Sequence, residues 1–258
     1  MKSIEKLEKS DLKGINLIVF DVDGILVPRG TKISQSGQKT VFYIKKVNKI
    51  IISLIKEMSL LGFMINISSG RSLDVLQKMF WPILNKITIT YENGSSSWIN
   101  GKIYQHVNSY SKLSNLYQEL STIKNKNIRG FEPKEFILTL HTKKRISAVE
   151  STIKRHKRIY FIWNGEAYDV GLRGSQTKLN GLRALLKIIK LKKDNILFIG
   201  DNRNDSSLAK NSKIIVTADK RRLNGDFFVK LSKKNLPGKV LMERIIKLIR
   251  KNDQVRTV

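Results

Sequence analysis

Short runs of consecutive apolar residues alternate along the chain with segments whose apolar residues recur at helical spacing. Residues 15–20 form an apolar run that ends in two aspartates, and residues 63–67 form a second run. Between them, residues 47–61 carry apolar side chains at helical spacing and end before Gly62, a pattern typical of a helix and its C-cap. Apolar strands joined by helices favour an α/β fold with a parallel, doubly wound sheet.

The alternation of strands and helices resumes near both ends of the chain. Strands are predicted over residues 87–91, 196–199 and 214–216, and helices over 73–79, 179–189, 206–210 and 240–249. Asn100-Gly101 predicts the turn of a hairpin over residues 98–104. A further hairpin is expected within residues 27–44, around Ser36-Gly37.

The middle of the chain has a different pattern of predicted strands and helices, which indicates an insertion. Helices are expected over residues 113–123 and 147–155, and strands over 136–142, 159–163 and 167–170. We therefore predict a Rossmann-like core domain formed by residues 1–101 and 174–258. Residues 102–173 are predicted to form a smaller inserted α+β domain.

Composition removes several classes of function. The chain has 258 residues, of which 41% are hydrophobic, so it can bury a core and is not mainly disordered. It has no cysteine, which excludes disulfides, Cys-based zinc sites and Cys nucleophiles. The first residues are too charged for a signal peptide, and Lys56-Glu57 interrupts the most apolar stretch. We expect a cytoplasmic protein without a membrane span, whose oligomeric state the sequence does not indicate.

The net charge of +28 could indicate a polyanionic partner or the steering of a phosphorylated substrate. The excess is spread along the chain, since residues 102–173 and residues 217–258 each carry a net +8 (14 − 6 and 12 − 4). No basic run is interleaved with aromatic residues. This distribution argues against nucleic acid as the partner and favours a solvated surface with a mild steering effect.

Polar residues follow the predicted core strands at their carboxyl ends, where ligands bind in such sheets. Asp21 and Asp23 follow the first strand, and Ser69-Gly-Arg71 follows the second. Gly200-Asp-Asn-Arg-Asn-Asp205 follows a strand after the insertion, and Lys178 opens the preceding helix. Four acids, a hydroxyl and a lysine are therefore expected at one edge of the sheet.

Clustered carboxylates repel one another and need a cation. Oxygen ligands without histidine or cysteine point to magnesium. Magnesium beside a carboxylate, a hydroxyl and a lysine suits phosphoryl transfer. One carboxylate can act as the nucleophile through an aspartyl-phosphate, and a second can protonate the leaving oxygen.

Four motifs in this order resemble those of the haloacid dehalogenase (HAD) superfamily of phosphatases: Asp21-Val-Asp-Gly24, Ser69-Gly-Arg71, Lys178 and Gly200-Asp-Asn-Arg-Asn-Asp205. Tyr91-Glu-Asn-Gly94 and an insertion between the second and third motifs resemble the branch with a type IIB cap, which includes Cof-type and other sugar-phosphate phosphatases. The resemblance runs from Ile15 to about Ile249.

The resemblance implies a role for each matching residue. Asp21 would be the nucleophile, and Asp23 the general acid and base. The implied phosphate-binding residues are Ser69, Gly70, Lys178 and Asn204. The implied Mg²⁺ ligands are Asp21, the backbone carbonyl of Asp23, Asp201 and, directly or through water, Asp205. The substrate would be a small phosphorylated metabolite, either a sugar phosphate or a phosphorylated acid.

The sequence departs from the family pattern in three places. Ile25 stands where the family usually has threonine, and Asn202 where many relatives have glycine. The stretch between Asp21 and Ser69 is longer than in most type IIB relatives and resembles the flap of capless sugar-acid phosphatases. These differences concern the placement within the superfamily more than the chemistry.

Other interpretations are open at this point. Ser69 and Asp205 could be helix N-caps, and Arg71 could pair with a carboxylate. Asp169 and two neighbours on the same cap strand, Glu166 and Arg173, could set specificity or face solvent. The whole chain could instead be a phosphomutase similar to phosphomannomutase, or a catalytically silent basic binding protein.

Overall fold

The computed structural model describes residues 1–30, 32–37, 39–230, 232 and 235–250. Among these residues, nine strands form a twisted core sheet, parallel except at one edge. Their spatial order is β1 (Lys2–Ser3), β15 (Phe227–Phe228), β14 (Ile214–Thr217), β13 (Ile196–Gly200), β2 (Leu17–Phe20), β5 (Met64–Ser68), β6 (Ile87–Tyr91), β7 (Ser96–Ile99) and β8 (Lys102–Gln105). The predicted doubly wound α/β fold is confirmed.

Helices cover both faces of the core sheet because its central strands are apolar on both sides. On β2, Ile18 and Phe20 pack into one cluster, and Leu17 and Val19 pack into the opposite one. The helices of the first face are α1 (Lys49–Leu60), α2 (Leu73–Phe80) and α7 (Pro237–Arg250). Those of the second face are α5 (Lys178–Ile189) and α6 (Ser206–Ala209).

The insertion forms a second, four-stranded antiparallel sheet of its own. Its spatial order is β11 (Ile159–Trp163), β12 (Ala167–Leu172), β10 (Leu138–Thr142) and β9 (Ile128–Glu132). The two helices of the insertion, α3 (Tyr110–Ser121) and α4 (Ser147–Arg155), pack on one face of this sheet around Leu140 and Tyr168. The other face is turned to the carboxyl edge of the core sheet, where both line a common cavity. We refer to this unit as the cap.

The predicted hairpin at 27–44 is present as β3 (Lys32–Ser36) and β4 (Lys39–Tyr43). It contacts the cap, since the Gln35 Oε1 accepts a hydrogen bond of 2.9 Å from the Phe131 backbone N–H. We call this hairpin the flap. Its contact with β9 means that flap and cap cover the core edge together.

Most predicted elements lie within a few residues of the observed ones, and three coincide with them: Ile87–Tyr91, Ser147–Arg155 and Ile159–Trp163. The prediction missed β9, whose five residues include an arginine and a glycine and show no apolar run. It also missed the two-residue strands β1 and β15. The strand β8 lies in the core sheet although the predicted insertion begins at residue 102. Among the described residues, none of the helices combines the length and the apolar character needed to cross a bilayer.

Helix α5 lies unusually close to the core because two glycines meet there. A Cβ atom on Gly181 would lie 2.4 Å from the Gly94 Cα and 2.7 Å from the Thr90 Cγ2. We predict that Gly181→Ala lowers the free energy of unfolding by about 1–3 kcal/mol through overpacking. An alanine would otherwise favour a helix by about 1 kcal/mol over glycine, so the contact reverses the usual sign.

Urea denaturation of the two proteins measures this difference. Gly101→Ala is the control, because no atom lies within 4 Å of its added Cβ, although this glycine, unlike Gly181, has a positive φ. The control should lose only about 1–2 kcal/mol from its backbone conformation. An unfolding free energy of Gly181→Ala at or above that of the unchanged chain would contradict the packing argument.

Candidate functional site

The chemistry-bearing residues meet because neighbouring parallel strands end at the same edge. Asp21 follows β2, Ser69 follows β5 and Asp201 follows β13, and these strands are direct neighbours in the sheet. The Asp21 backbone N–H still donates to the Ile199 carbonyl at 3.0 Å, so the ladder itself fixes the position of this aspartate. The site is thus built on rigid sheet ends.

Lys178 stands at the first position of α5 and connects two of the acids. Its Nζ donates to the Asp21 Oδ1 and to the Asp205 Oδ1, each at 2.7 Å, and its side chain is 2% exposed. The helix begins there because the Thr177 side chain caps it by accepting from the Asn180 backbone N–H. A buried ammonium group shared by two buried carboxylates is the electrostatic centre of the site.

Asp205 stabilises the loop after β13 from within. Its Oδ2 accepts hydrogen bonds from the backbone N–H groups of Asp201 and Asn202, at 3.3 and 3.2 Å. Asp205 is fully buried. Asp205 stands at the N-cap position of α6 but makes no side-chain capping hydrogen bond there; its carboxylate instead closes a capping box with Asn202, the N-cap of the short helix Arg203–Asp205.

Burial makes the charged forms of these groups costly. Burial, with the nearby carboxylates of Asp205 and Asp201, raises the pKa of Asp21 to about 8 against the opposing effect of Lys178. Burial likewise raises the pKa of Asp201, and Arg29 opposes that shift. The pKa of Lys178 is raised, because Asp205 and Asp21 outweigh the effect of its burial. The acids therefore require more positive charge than the lysine supplies.

The same acids fit a divalent metal ion. Carboxylate oxygens of Asp21, Asp201 and Asp205 lie within 4.8 Å of one another, all three buried. A set of hard oxygen atoms without nitrogen or sulfur ligands suits a hard cation. The Asp23 side chain lies outside this cluster, which agrees with the implied use of its backbone carbonyl alone.

Asp23 is held by Arg71 in a two-point ion pair. The Arg71 Nε donates to the Asp23 Oδ2 at 2.9 Å and its Nη2 to the Oδ1 at 2.7 Å. The Arg71 side chain is only 6% exposed, and its backbone N–H donates to the Ser69 Oγ. The expectation that Arg71 pairs with a carboxylate is confirmed. The pair fixes the direction of the carboxylate that the resemblance makes the general acid.

The predicted phosphate-binding residues surround the acids. Ser69, Gly70, Lys178 and Asn204 all line the same cavity as Asp21. The Asn204 Oδ1 and the Asn93 Oδ1 are buried without a hydrogen-bond partner in the described part of the chain. A Cβ on Gly70 would lie 3.0 Å from that Asn93 oxygen, so only glycine leaves this corner of the cavity open.

Arg29, just before the flap, forms an ion pair with one of the acids, Asp201. Its Nε donates to the Asp201 Oδ2 at 2.7 Å, its Nη2 donates to the Asp201 backbone carbonyl, and its side chain is 37% exposed. The guanidinium group thus neutralises Asp201, to which Lys178 does not donate a hydrogen bond. A metal ion bound by Asp201 competes with this ion pair.

The cap contributes a row of polar side chains to the opposite wall. Thr139 on β10 is paired in register with Glu132 on β9 and with Asp169 on β12, so the three side chains project from one face of the sheet. All three line the cavity. The neighbouring row in register, which includes Leu140 and Tyr168, points to the cap helices instead.

Two further cap residues complete this wall. The Lys134 Nζ donates to the Thr139 Oγ1 at 2.6 Å and lies 3.6 Å from the Glu132 Oε1. The His141 Nε2 is 3.0 Å from the Glu132 Oε2. Burial alone would raise the pKa of Glu132, but Lys134 and His141 lower it to about 2, so this buried glutamate is ionised.

The core edge and the cap enclose a polar cavity of about 170 Å³. All the predicted site residues except Asp205 line it, and Asp205 reaches it through Lys178. Of the three residues considered on the returning cap segment, Glu166 and Asp169 line the cavity. Arg173 does not, and its Nη2 lies near the Ile159 carbonyl.

Several lining residues were missed from the sequence: Arg29, Glu132, Lys134, Thr139 and His141. A signal existed for Thr139 and His141, because Leu138-Thr-Leu-His141 alternates between apolar and polar residues. The polar positions of such a strand share one face, and that face could have been assigned to the site. No comparable signal marks Arg29, whose contact spans 172 positions.

Comparisons with known proteins agree with this geometry. Residues 103–220 match the family of haloacid dehalogenase-like hydrolases. A comparison with curated protein sequences found no match. The family match agrees with the resemblance of the four motifs at the strand ends to the HAD superfamily.

Solved structures share the fold at low sequence identity. A protein of Thermoplasma acidophilum is 20% identical, covers 90% of this chain and 99% of its own, and superposes with a TM-score of 0.67. A trehalose-6-phosphate phosphatase related protein is 18% identical, with coverages of 93% and 100% and a TM-score of 0.66. A sugar phosphatase of HAD subclass IIB is 15% identical, with coverages of 90% and 100% and a TM-score of 0.62.

The lysine bridge generates a prediction about stability. Lys178→Met leaves the Asp21 and Asp205 carboxylates buried without their cation, which should lower the free energy of unfolding by about 3–5 kcal/mol. Added Mg²⁺ should recover most of this loss, because a divalent ion supplies the missing charge. Thermal denaturation with and without Mg²⁺ measures both effects.

The matched control is Lys187→Met, which removes an exposed lysine from the same helix. Its unfolding temperature should stay close to that of the unchanged chain and should respond to Mg²⁺ as that chain does. A Lys178→Met protein as stable as this control in the absence of metal would contradict the proposed electrostatic role.

The Arg29 ion pair generates a prediction about metal affinity. Because the guanidinium group and a metal ion compete for the Asp201 carboxylate, Arg29→Gln should bind Mg²⁺ about tenfold more tightly. Isothermal titration calorimetry gives the dissociation constant. Arg203→Gln removes an exposed charge from the same loop after β13 and should change the affinity far less. Equal affinities in the two variants would show that Arg29 does not compete.

Proposed function

We propose that this chain is a haloacid dehalogenase-like hydrolase, and that it acts as a Mg²⁺-dependent phosphatase on a small phosphorylated metabolite, either a sugar phosphate or a phosphorylated acid. The observation that carries the proposal is the convergence of Asp21, Asp201 and Asp205 around the Lys178 ammonium group beneath the cap. Similarity to a sugar phosphatase and to a trehalose-6-phosphate phosphatase related protein supports the substrate class.

The substrate phosphate would lie at the carboxyl edge of the sheet. The Ser69 hydroxyl, the Gly70 backbone N–H, the Asn204 side chain and the Lys178 ammonium group would hold its oxygens. Asp21, Asp201, Asp205 and the Asp23 carbonyl would bind Mg²⁺, which neutralises charge on the phosphoryl oxygens when bound. Because these groups are fixed by strand ends and by a capped helix, they need little reorganisation on binding beyond the release of Asp201 from Arg29.

In the first step, an Asp21 oxygen attacks phosphorus while the bond to the leaving oxygen breaks. Asp23 transfers its proton to that oxygen, so the leaving group departs as an alcohol. In the second step, Asp23 accepts a proton from water, which attacks the aspartyl-phosphate and releases inorganic phosphate. Arg71 would orient the Asp23 carboxylate for both transfers, and its ion pair must loosen when Asp23 takes up a proton.

The cap and the core domain would have separate tasks in this reaction. The proposed core domain comprises residues 1–101 and 174–258, and the proposed cap comprises residues 102–173, of which β8 contributes to the core sheet. The cap would close over the bound substrate, exclude bulk water and contact the leaving group. A cytoplasmic location and a small metabolite as partner complete the proposal.

Asp21→Asn should abolish phosphate release, because an amide cannot serve as the nucleophile. We expect a loss of at least about 10⁴-fold in kcat, while the fold is retained. Phosphate release from p-nitrophenyl phosphate with and without Mg²⁺ is the measurement. Mass spectrometry of the quenched reaction should find a phosphoryl group on the peptide that contains Asp21.

Asp194→Asn is the matched control, since it makes the same chemical change at an exposed position. Its turnover should equal that of the unchanged chain. Turnover that persists in Asp21→Asn would overturn the nucleophile assignment, and turnover that survives complete removal of divalent ions would overturn the role of the metal.

A further inference from the structure

The cap side of the cavity has a composition unlike the rest of this basic chain. Its charged lining residues are three carboxylates, Glu132, Glu166 and Asp169, and one ammonium group, Lys134. The chain as a whole has a net charge of +28. The cap side of the cavity therefore carries more carboxylates than cations, although the chain as a whole is basic.

The single ammonium group is already neutralised within the wall. The Lys134 Nζ lies 3.6 Å from the Glu132 Oε1 and 3.8 Å from the Asp169 Oδ1, and its side chain is 3% exposed. It also donates to the Thr139 Oγ1, which in turn donates to the Asp169 Oδ1 at 2.6 Å. Because these acceptors use the lysine's charge, little of it is available to a ligand.

Within the described part of the chain, two polar atoms of the same wall have no hydrogen bond of their own. The Glu132 Oε1 and the His141 Nδ1 are buried and have no hydrogen-bond partner among the residues that the structure describes. The His141 Nε2 is the donor to Glu132 when the ring is neutral, which leaves its Nδ1 as an acceptor. Leaving a buried acceptor without a donor costs free energy, so these atoms favour a ligand that donates hydrogen bonds.

We infer that the cap selects a leaving group rich in hydrogen-bond donors, a neutral polyhydroxyl or an amino-bearing group, and excludes one that carries a second anion. The inference rests on the proposed phosphatase function and narrows its substrate class, because it removes phosphorylated acids. A carboxylate placed against Glu132 and Asp169 would meet like charge at short range and could donate no hydrogen bond to the Glu132 Oε1 or the His141 Nδ1. A hydroxyl or ammonium group would satisfy them.

Substrates that differ only in this charge test the inference. Glycerol 3-phosphate and 3-phosphoglycerate differ by replacement of a hydroxymethyl group with a carboxylate, and phosphoethanolamine and phosphoglycolate form a similar pair. We expect kcat/KM with Mg²⁺ to be about 10- to 100-fold higher for the alcohol and for the amine than for their acids. Acids hydrolysed as fast as their partners would overturn the inference.

Variants of the wall residues test whether these side chains cause the difference between alcohols and acids. Glu132→Gln and Asp169→Asn each remove one negative charge at constant shape. Each should reduce the ratio of kcat/KM for the alcohol to kcat/KM for the acid by at least about fivefold. Glu119→Gln is the control, because it removes a cap carboxylate that pairs with Arg155 on the far side of the cap core. Unchanged ratios in both wall variants would place the selectivity elsewhere and reject the inference.

Binding to the Asp21→Asn protein separates failure of the inference from failure of the proposed function. Calorimetry with Mg²⁺ and the same four compounds measures affinity without turnover. Weaker binding of both acids supports the inference even if the unchanged chain hydrolyses none of the compounds, an outcome that would reject only the phosphatase activity. Equal or tighter binding of the acids would reject the inference whether or not phosphate is released.

Discussion

The arrangement of this molecule depends on burying several carboxylates at one edge of a parallel sheet. Asp21, Asp201 and Asp205 are all buried there, and the backbone ladder between β2 and β13 leaves the first two no freedom to separate. Such a cluster is unfavourable unless cations accompany it. Lys178 supplies one between Asp21 and Asp205, and Arg29 supplies another at Asp201. The site is therefore close to electrostatic balance only with these two residues in place, and a phosphate bound there adds to the demand for a divalent ion.

The position of Lys178 in turn ties the site to the cap. The residue opens α5 directly after the chain returns from the cap, and the contact between Gly181 and Gly94 brings that helix close to the core. Two buried polar side chains hold the crossing segments together. The Gln176 Nε2 donates to the Ser95 and Ser109 hydroxyl groups, and the Glu92 carboxylate accepts three backbone N–H groups from residues 135–137 of the cap. The hydrogen bonds that orient the cap therefore also help to position Lys178.

The sequence predicted the core better than the cap wall for a physical reason. Asp21, Ser69 and Asp201 follow apolar strands directly, so parallel pairing alone brings them to one edge, and their proximity could be predicted from local patterns. Lys178 could be predicted only from the resemblance, because one lysine among many has no distinguishing local pattern. The row of Glu132, Thr139 and Asp169 depends on the register between three antiparallel strands. A shift of one residue would send these side chains to the opposite face, and register over such distances is not encoded in any short segment.

The charge of the chain and the charge of its cavity have opposite signs, and this contrast bears on specificity. A basic surface raises the local concentration of every phosphorylated anion, including those with additional acidic groups, so it cannot choose among them. Selection must therefore occur where the solvent is excluded and individual charges are felt at short range. The wall formed by Glu132, Lys134 and Asp169 meets that condition, since its ion pairs are buried and its strands are fixed by the cap core. Attraction by the surface and rejection by the cap can then operate together, the first general to phosphates and the second dependent on what the phosphate is attached to.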